Sequence, residues 1–307
     1  MYIFILIIIV ITIIFIILKN KKEGFENNKC AFCIPIHPKH FNYGYKILDE
    51  LKDTNDVDLY FIFTNEEDKN TFINLNQSTE YVYKYLILSD FIDIKIVEKH
   101  NCFPSFKKLY ALSELYNKYK YISCIDSEIS FIYKSNFYEM MKNISNNKII
   151  CGGDIRNDDA SVSRYKTIIR DSLTKIVPSK DIEKLKNISK NYNIYTWWSN
   201  LPVYETSEVK HFLKWINFNN KKFIEKMNWN VFDDLLYNYF LILKYNYNLY
   251  IVPGLQHSLE YADSNTIEKV DQNICKLYWV NKQAYDENKK YYNKNNFYII
   301  YHIDRSR

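Results

Sequence analysis

The hydrophobic pattern divides the chain at once. Met1 to Leu18 are uncharged and almost all Ile, Leu, Phe or Val. As a helix this stretch would measure about 27 Å, the short end of what crosses a bilayer. A polar linker, residues 19–29, follows. Beyond it, short apolar runs alternate with amphipathic ones. Cys30 to His37 reads as a strand that Pro35-Ile36-His37-Pro38 must end, because proline breaks the ladder. Tyr45 to Lys52 reads as a helix, Val57 to Thr64 as a second strand, and Tyr81 to Leu88 and Ile94 to Val97 as weaker strands. Pro104 to Lys120 keeps helical spacing, with Ser105 as a candidate N-cap. Tyr119 to Phe131 is an apolar run that turns acidic at Asp126 and Glu128, as a buried parallel strand does when it reaches a site at its end. Asn147 to Asp154 contains a third apolar run, and Arg164 to Tyr192 forms two helical pieces broken at Pro178. Phe232, Leu235, Leu236, Tyr239, Phe240 and Leu243 make a helical stripe that Asn230 can cap. Leu249 to Val252 reads as a strand closed by Pro253-Gly254. This alternation predicts an α/β fold with a parallel sheet, whose ligands sit beyond the strands' carboxyl ends and so place His37, Thr64 and Asp126 on one rim.

Charge refines the reading of the first segment. No basic residue precedes the apolar run and no small-x-small cleavage site follows, which favours a retained single anchor, residues 2–18, over a signal peptide. Lys19, Lys21 and Lys22 on its carboxyl side then predict a cytosolic body. The Asn-x-Ser triplets at Asn76, Asn143 and Asn187 would permit a lumenal one. The remaining residues, 30–307, suffice for one large domain. The net charge of +5 is spread through mixed surface stretches such as Lys180 to Lys190, so nucleic acid is not an expected partner. Six cysteines form no evident framework, and the Cys30-x-x-Cys33 pair lies inside a predicted strand, where thiols act as small hydrophobes. Unpaired thiols agree with a reducing compartment. Neither Gly-x-x-x-x-Gly-Lys nor Gly-x-Gly-x-x-Gly occurs, which removes the commonest nucleotide-binding loops.

The candidate chemistry begins with Asp126 and Glu128. In extended chain, residues two apart project to one side about 6.6 Å apart, so both carboxylates could meet one divalent cation whose vacancies a diphosphate fills. Lys107 and Lys108 are expected in the first turn of the preceding helix, where positive charge opposes the dipole unless an anion binds there. Gly152 and Gly153, two of only 5 glycines, suggest a sharp turn or a close approach to a ligand. Tyr195 to Tyr204 concentrates aromatics that could stack on a sugar ring. Asp233 and Asp234 open the later helix, where the dipole and capping alone would explain them. His257 and His302 follow late strands.

An apolar strand ending in Asp-x-Glu resembles the metal-binding motif of GT-A-fold glycosyltransferases, which use nucleotide-sugar donors. Four features occur in that family's order: acidic triplet, glycine pair, acidic helix start, late histidine. The resemblance covers roughly residues 30–260 and implies a Rossmann-type mixed sheet flanked by helices. It implies Mn2+ or Mg2+ on Asp126, Glu128 and either His257 or His302. It also implies a donor site formed by Pro35, His37, Lys108, Asp126, Gly152 and Gly153, with Asp154 and Arg156 nearby. Asp233 or Asp234 would be the base in an inverting enzyme, although Phe-Asp-Asp stands where the family has x-Glu-Asp. The acceptor would be a glycan, protein or lipid. The Tyr-, Asn-, Ile- and Lys-rich composition is of the kind AT-rich genomes encode, such as those of some giant viruses or protists. The alternatives are a non-catalytic, membrane-anchored glycan- or partner-binding protein on a degenerate transferase fold, and a different metal-dependent α/β enzyme such as a nucleotidyltransferase.

Overall fold

The computed structural model describes residues 29–75, 82–131, 136–153, 163–188, 201–219, 221–252, 279–287, 299–301 and 303. The apolar segment 1–18 lies outside them, as do Asp154, Arg156, residues 195–200, His257 and His302. Among the described residues, no helix is long and apolar enough to cross a membrane.

Strands β1 (Cys30–Pro35), β2 (Val57–Phe63), β3 (Lys84–Ile87), β4 (Tyr121–Cys124) and the short β7 (Tyr204–Glu205) form a sheet in the order β3-β2-β1-β4-β7. The first four are parallel and β7 is antiparallel to β4. Two smaller sheets pair β6 (Ile149–Gly153) with β8 (Asn248–Val252), and β5 (Ile129–Phe131) with β10 (Ile299–Tyr301) and β9 (Trp279–Asn281). The chain builds outward from β1 to β3 and then crosses back to lay β4 on the other side of β1. That reversal opens a crevice at the carboxyl ends of β1 and β4, where ligands of open α/β sheets bind.

The helices are α1 (Phe41–Leu51), α2 (Glu66–Leu75), α3 (Ile94–His100), α4 (Phe103–Leu115), α5 (Phe137–Asn147), α6 (Ser163–Ile176), α7 (Ser179–Ile188), α8 (Thr206–Trp215), α9 (Lys221–Lys226), α10 (Asp233–Lys244) and α11 (Lys282–Glu287). They cover both faces of the main sheet. Along β1, Ala31 and Cys33 join a core with α4, α8 and α10, whereas Cys30, Phe32 and Ile34 join a second core with α1, α5 and Phe72 of α2. A strand alternates faces residue by residue, so the unbroken apolar runs of β1 and of Leu59 to Phe63 in β2 are what burial on both sides requires.

Several sequence expectations need correction. Ile94 to Val97 is helical, not extended: the Asp93 carboxylate caps α3 by accepting from the Lys95 N–H at 3.0 Å, and Asn101 ends the helix in the left-handed region at φ 48°. Helix α4 starts at Phe103 with Pro104 in its first turn, so Ser105 is inside it and Lys107 and Lys108 fall in its second turn. Phe232, not Asn230, is the N-cap residue of α10. The glycine pair is not a turn but the end of β6, with Gly152 opposite Ile251 and Gly153 opposite Val252. The strand predicted over Tyr119 to Phe131 is two strands in different sheets, separated by a bend at Ser127 and Glu128.

Candidate active site at the β1 and β4 rim

The last main-sheet bond of β4 runs from the Ile125 N–H to the Cys33 carbonyl at 3.0 Å. Asp126 is the next residue and stands at the rim. Because the chain bends here, Asp126 and Glu128 do not share one extended face. Asp126 turns to α4, where its Oδ1 lies 2.9 Å from Lys108 Nζ. Glu128 turns to the loop after β1. Its Oε1 is 3.3 Å from His40 Nδ1, its Oε2 accepts from Ser127 Oγ at 3.1 Å, and Ser127 Oγ is 2.9 Å from the same His40 nitrogen.

The start of α10 converges on the same lysine. Burial alone would lower the Lys108 pKa, but Asp126, Asp233 and Asp234 together raise it above the ordinary lysine value. Carboxylates more than a hundred positions apart in sequence thus face one ammonium group. Asp233 is 1 % exposed. Its Oδ2 accepts from the Tyr204 hydroxyl at 2.8 Å and its Oδ1 has no hydrogen-bond partner. Burial raises its pKa, against the pull of Lys108 and Tyr204. Asp234 is half-buried and borders a cavity of about 60 Å³ with Tyr204, Tyr237 and Asn238. Burial and then the Asp233 charge push its pKa up to about 7. Burial and then Asp126 raise that of Glu128, with His40 and Ser127 opposing.

Four carboxyl groups therefore share this rim with one lysine. Burial first, and then a neighbouring carboxylate, raises the proton affinity of Glu128, Asp233 and Asp234, and a divalent cation relieves that condition. Carboxylate oxygens are donors that suit Mn2+ or Mg2+, although Asp126 and Glu128, the pair expected to hold it, turn to different partners here. Among the described residues, no group of three or more His, Cys, Asp or Glu could complete a metal site, and the two candidate histidines, His257 and His302, lie outside them.

Of the remaining candidates, Pro35 ends β1 and His37 is exposed just beyond it, on the same rim. Thr64 follows the end of β2, with its carbonyl accepting from the Ser89 N–H at 3.0 Å. Gly152 and Gly153 belong to the separate β6–β8 sheet. The cysteines Cys30, Cys33, Cys102 and Cys124 are free and buried, as expected of core thiols. Sequence reasoning missed His40 and Ser127, and it read Tyr204 as the end of an aromatic stretch for sugar stacking, whereas Tyr204 is buried and donates to Asp233. The available signal for His40 was the second histidine in Pro35-Ile36-His37-Pro38-Lys39-His40, three residues after the first.

No protein-family model matches the chain, and no curated protein matches it. Among solved structures, it is similar to S. aureus TarS at 12% identity and TM-score 0.33, over 66% of this chain and 34% of that one. With TarS 1-349 the values are 13% and 0.39, over 75% and 59%. With core-mannan synthase A (CmsA/Ktr4) from Aspergillus fumigatus, crystallised in its Mn/GDP form, they are 12% and 0.38, over 74% and 73%. The chain thus spans about a third of the first TarS structure and three fifths of the second. The functional reading rests on the acidic rim itself.

Proposed function

We propose that this chain is a metal-dependent glycosyltransferase of the GT-A type, which moves a sugar from a nucleotide-diphosphate donor to a hydroxyl acceptor. The observation behind this reading is the convergence of Asp126, Asp233 and Asp234 on Lys108 at the reversal point of a parallel sheet. Asp126 and Glu128 would hold the cation, which would supply the positive charge that a departing diphosphate needs. Lys108 adds a fixed positive charge on the same side and keeps Asp126 aimed at the rim. Pro35 and His37 bound the donor from the end of β1.

The two acids of α10 have different tasks in this reading. Asp233, sealed from solvent and bound to Tyr204, steadies the helix start and acts on Lys108 through its charge. Asp234, half-buried and with a pKa near the operating range of a base, takes the acceptor hydroxyl proton if the reaction inverts configuration. The apolar residues 2–18 serve as a single membrane anchor and the body is cytosolic by its flanking charge. The acceptor is a glycan, protein or lipid.

The test is a thermal-shift screen of the chain against UDP-, GDP- and CMP-linked sugars, with and without Mn2+. A ligand that binds only the folded state raises Tm by mass action. We expect a Mn2+-dependent shift with one donor class that Asp126→Ala abolishes. No shift with any donor, from a cooperatively melting sample, would favour the non-catalytic binding protein instead.

A further inference from the structure

Lys107, the neighbour of the site lysine, is used nowhere in the reading above, yet it is among the most buried charged groups described. It is 4 % exposed, and its Nζ donates to the Ile36 carbonyl at 2.7 Å. Ile36 is the residue between the end of β1 and His37. Its N–H donates to the Ile62 carbonyl at 3.2 Å, beyond the last paired rung of β1 and β2. On the opposite face, its side chain lies where a Cβ on Gly44 of α1 would come within 2.7 Å of its Cδ1 and 2.9 Å of Phe72 Cε2. Amide, carbonyl and side chain of Ile36 are thus each fixed by a different element: β2, α4 and α1. The next residue, His37, is exposed on the rim.

We propose that Lys107 is a positioning residue that clamps the end of β1 and holds His37 at the donor side of the rim. Adjacent lysines on α4 divide the work. Lys108 fixes the end of β4 through Asp126, and Lys107 fixes the end of β1 through Ile36. The crevice between these two strand ends keeps its width because one rigid helix holds both sides. The Lys107 Nζ donates to the carbonyl in either protonation state, and below about pH 7, where it is charged, that bond is stronger than a neutral one. Lys107 also acts on His37 through its charge: burial, Lys39, Lys107 and then His40 lower the His37 pKa, against Asp68, and Asp68 acts on Lys107 as well.

The role in donor binding rests on the transferase reading, whereas the effect on His37 does not, so the test separates them. The His37 imidazole is titrated by NMR in the full chain as wild type, Lys107→Met, Lys107→Arg and Lys107→Gln. Thermal shifts with Mn2+ and UDP or GDP are measured in parallel. Lys107→Met and Lys107→Gln should raise the His37 midpoint, and Lys107→Arg should leave it low. Nucleotide affinity should fall roughly tenfold in Lys107→Met, as for loss of a charged hydrogen bond, and recover largely in Lys107→Arg. A lysine that acted on His37 by charge alone would shift its midpoint but leave nucleotide affinity unchanged. An unchanged midpoint in folded Lys107→Met or Lys107→Gln overturns the proposal, as does unaltered nucleotide binding by folded Lys107→Met when the wild type binds. If the wild type gives no nucleotide shift, the transferase reading fails and hydrogen exchange of the Ile36 amide decides the clamp: faster exchange in Lys107→Met than in wild type and Lys107→Arg supports it, and an unchanged rate overturns it.

Discussion

Of the four acids at the rim, Asp234 is the one whose pKa is carried into the neutral range. Asp234, with its pKa pushed up to about 7, is charged above that value and protonated below it. A base must be deprotonated, so activity should rise through neutral pH and Asp234→Asn should remove that limb together with most of kcat. Nucleotide binding should survive. A kcat against pH profile for both forms checks this. Lys107 gives a stability prediction of its own. Burial, opposed by Asp68, lowers its pKa from the ordinary 10.5 to about 7. Between those values the unfolded chain holds a proton that the folded one lacks, so stability rises with pH across this window and is lost as pH falls back toward 7. The slope is at most about 1.4 kcal/mol per pH unit. Urea unfolding at pH 7 and pH 9.5 should show the rise in the wild type and a smaller one in Lys107→Met. At this scale the acids Asp126, Glu128, Asp233 and Asp234 were legible in sequence because strand ends and helix starts announce where side chains go. Their partners were not, since nothing in the spacing of His40 or Tyr204 says that one meets Glu128 and the other Asp233.

Among the elements, α10 shows how a helix start becomes part of a site. Phe232 offers no side-chain cap, and the hydroxyl that steadies Asp233 comes from Tyr204 on β7. Tyr204→Phe should therefore leave the Asp233 carboxyl without that donor in a buried setting and cost ~1–3 kcal/mol, readable as a lower denaturation midpoint at unchanged slope. Element types followed from periodicity wherever the run was long, as in α10 and β2. They failed where the run was short. Ile94 to Val97 has the β-branched residues of a strand, but the Asp93 cap and the Asn101 stop favour a helix. The division of Tyr119 to Phe131 was hidden for a similar reason: both halves are apolar, and which sheet each joins is decided by distant partners, Cys33 for one and Ile299 to Tyr301 for the other.

For the whole molecule, the prediction of a parallel α/β sheet holds for its four core strands, whereas the small sheets and the strand order depend on long-range pairings that a linear pattern does not contain. The two-sided sheet implies strong sensitivity in its middle. Phe61 of β2 is 0% exposed and lies 5.0 Å from the Phe72 ring and 5.5 Å from the Tyr83 ring, centroid to centroid. Phe61→Ala should cost ~3–5 kcal/mol, measured by urea denaturation, without touching the acidic rim.

The direction of β1 settles how the molecule can be mounted. The strand starts at Cys30 and ends at Pro35 beside the acidic cluster, so the chain enters the sheet at the edge opposite its site. Six residues of strand put roughly 20 Å between the point of entry and the crevice. Whatever holds the preceding residues pulls on the blunt edge of the domain, away from the acidic edge. A sensor chip coupled through that end would present the crevice to the flowing solution rather than bury it against the support.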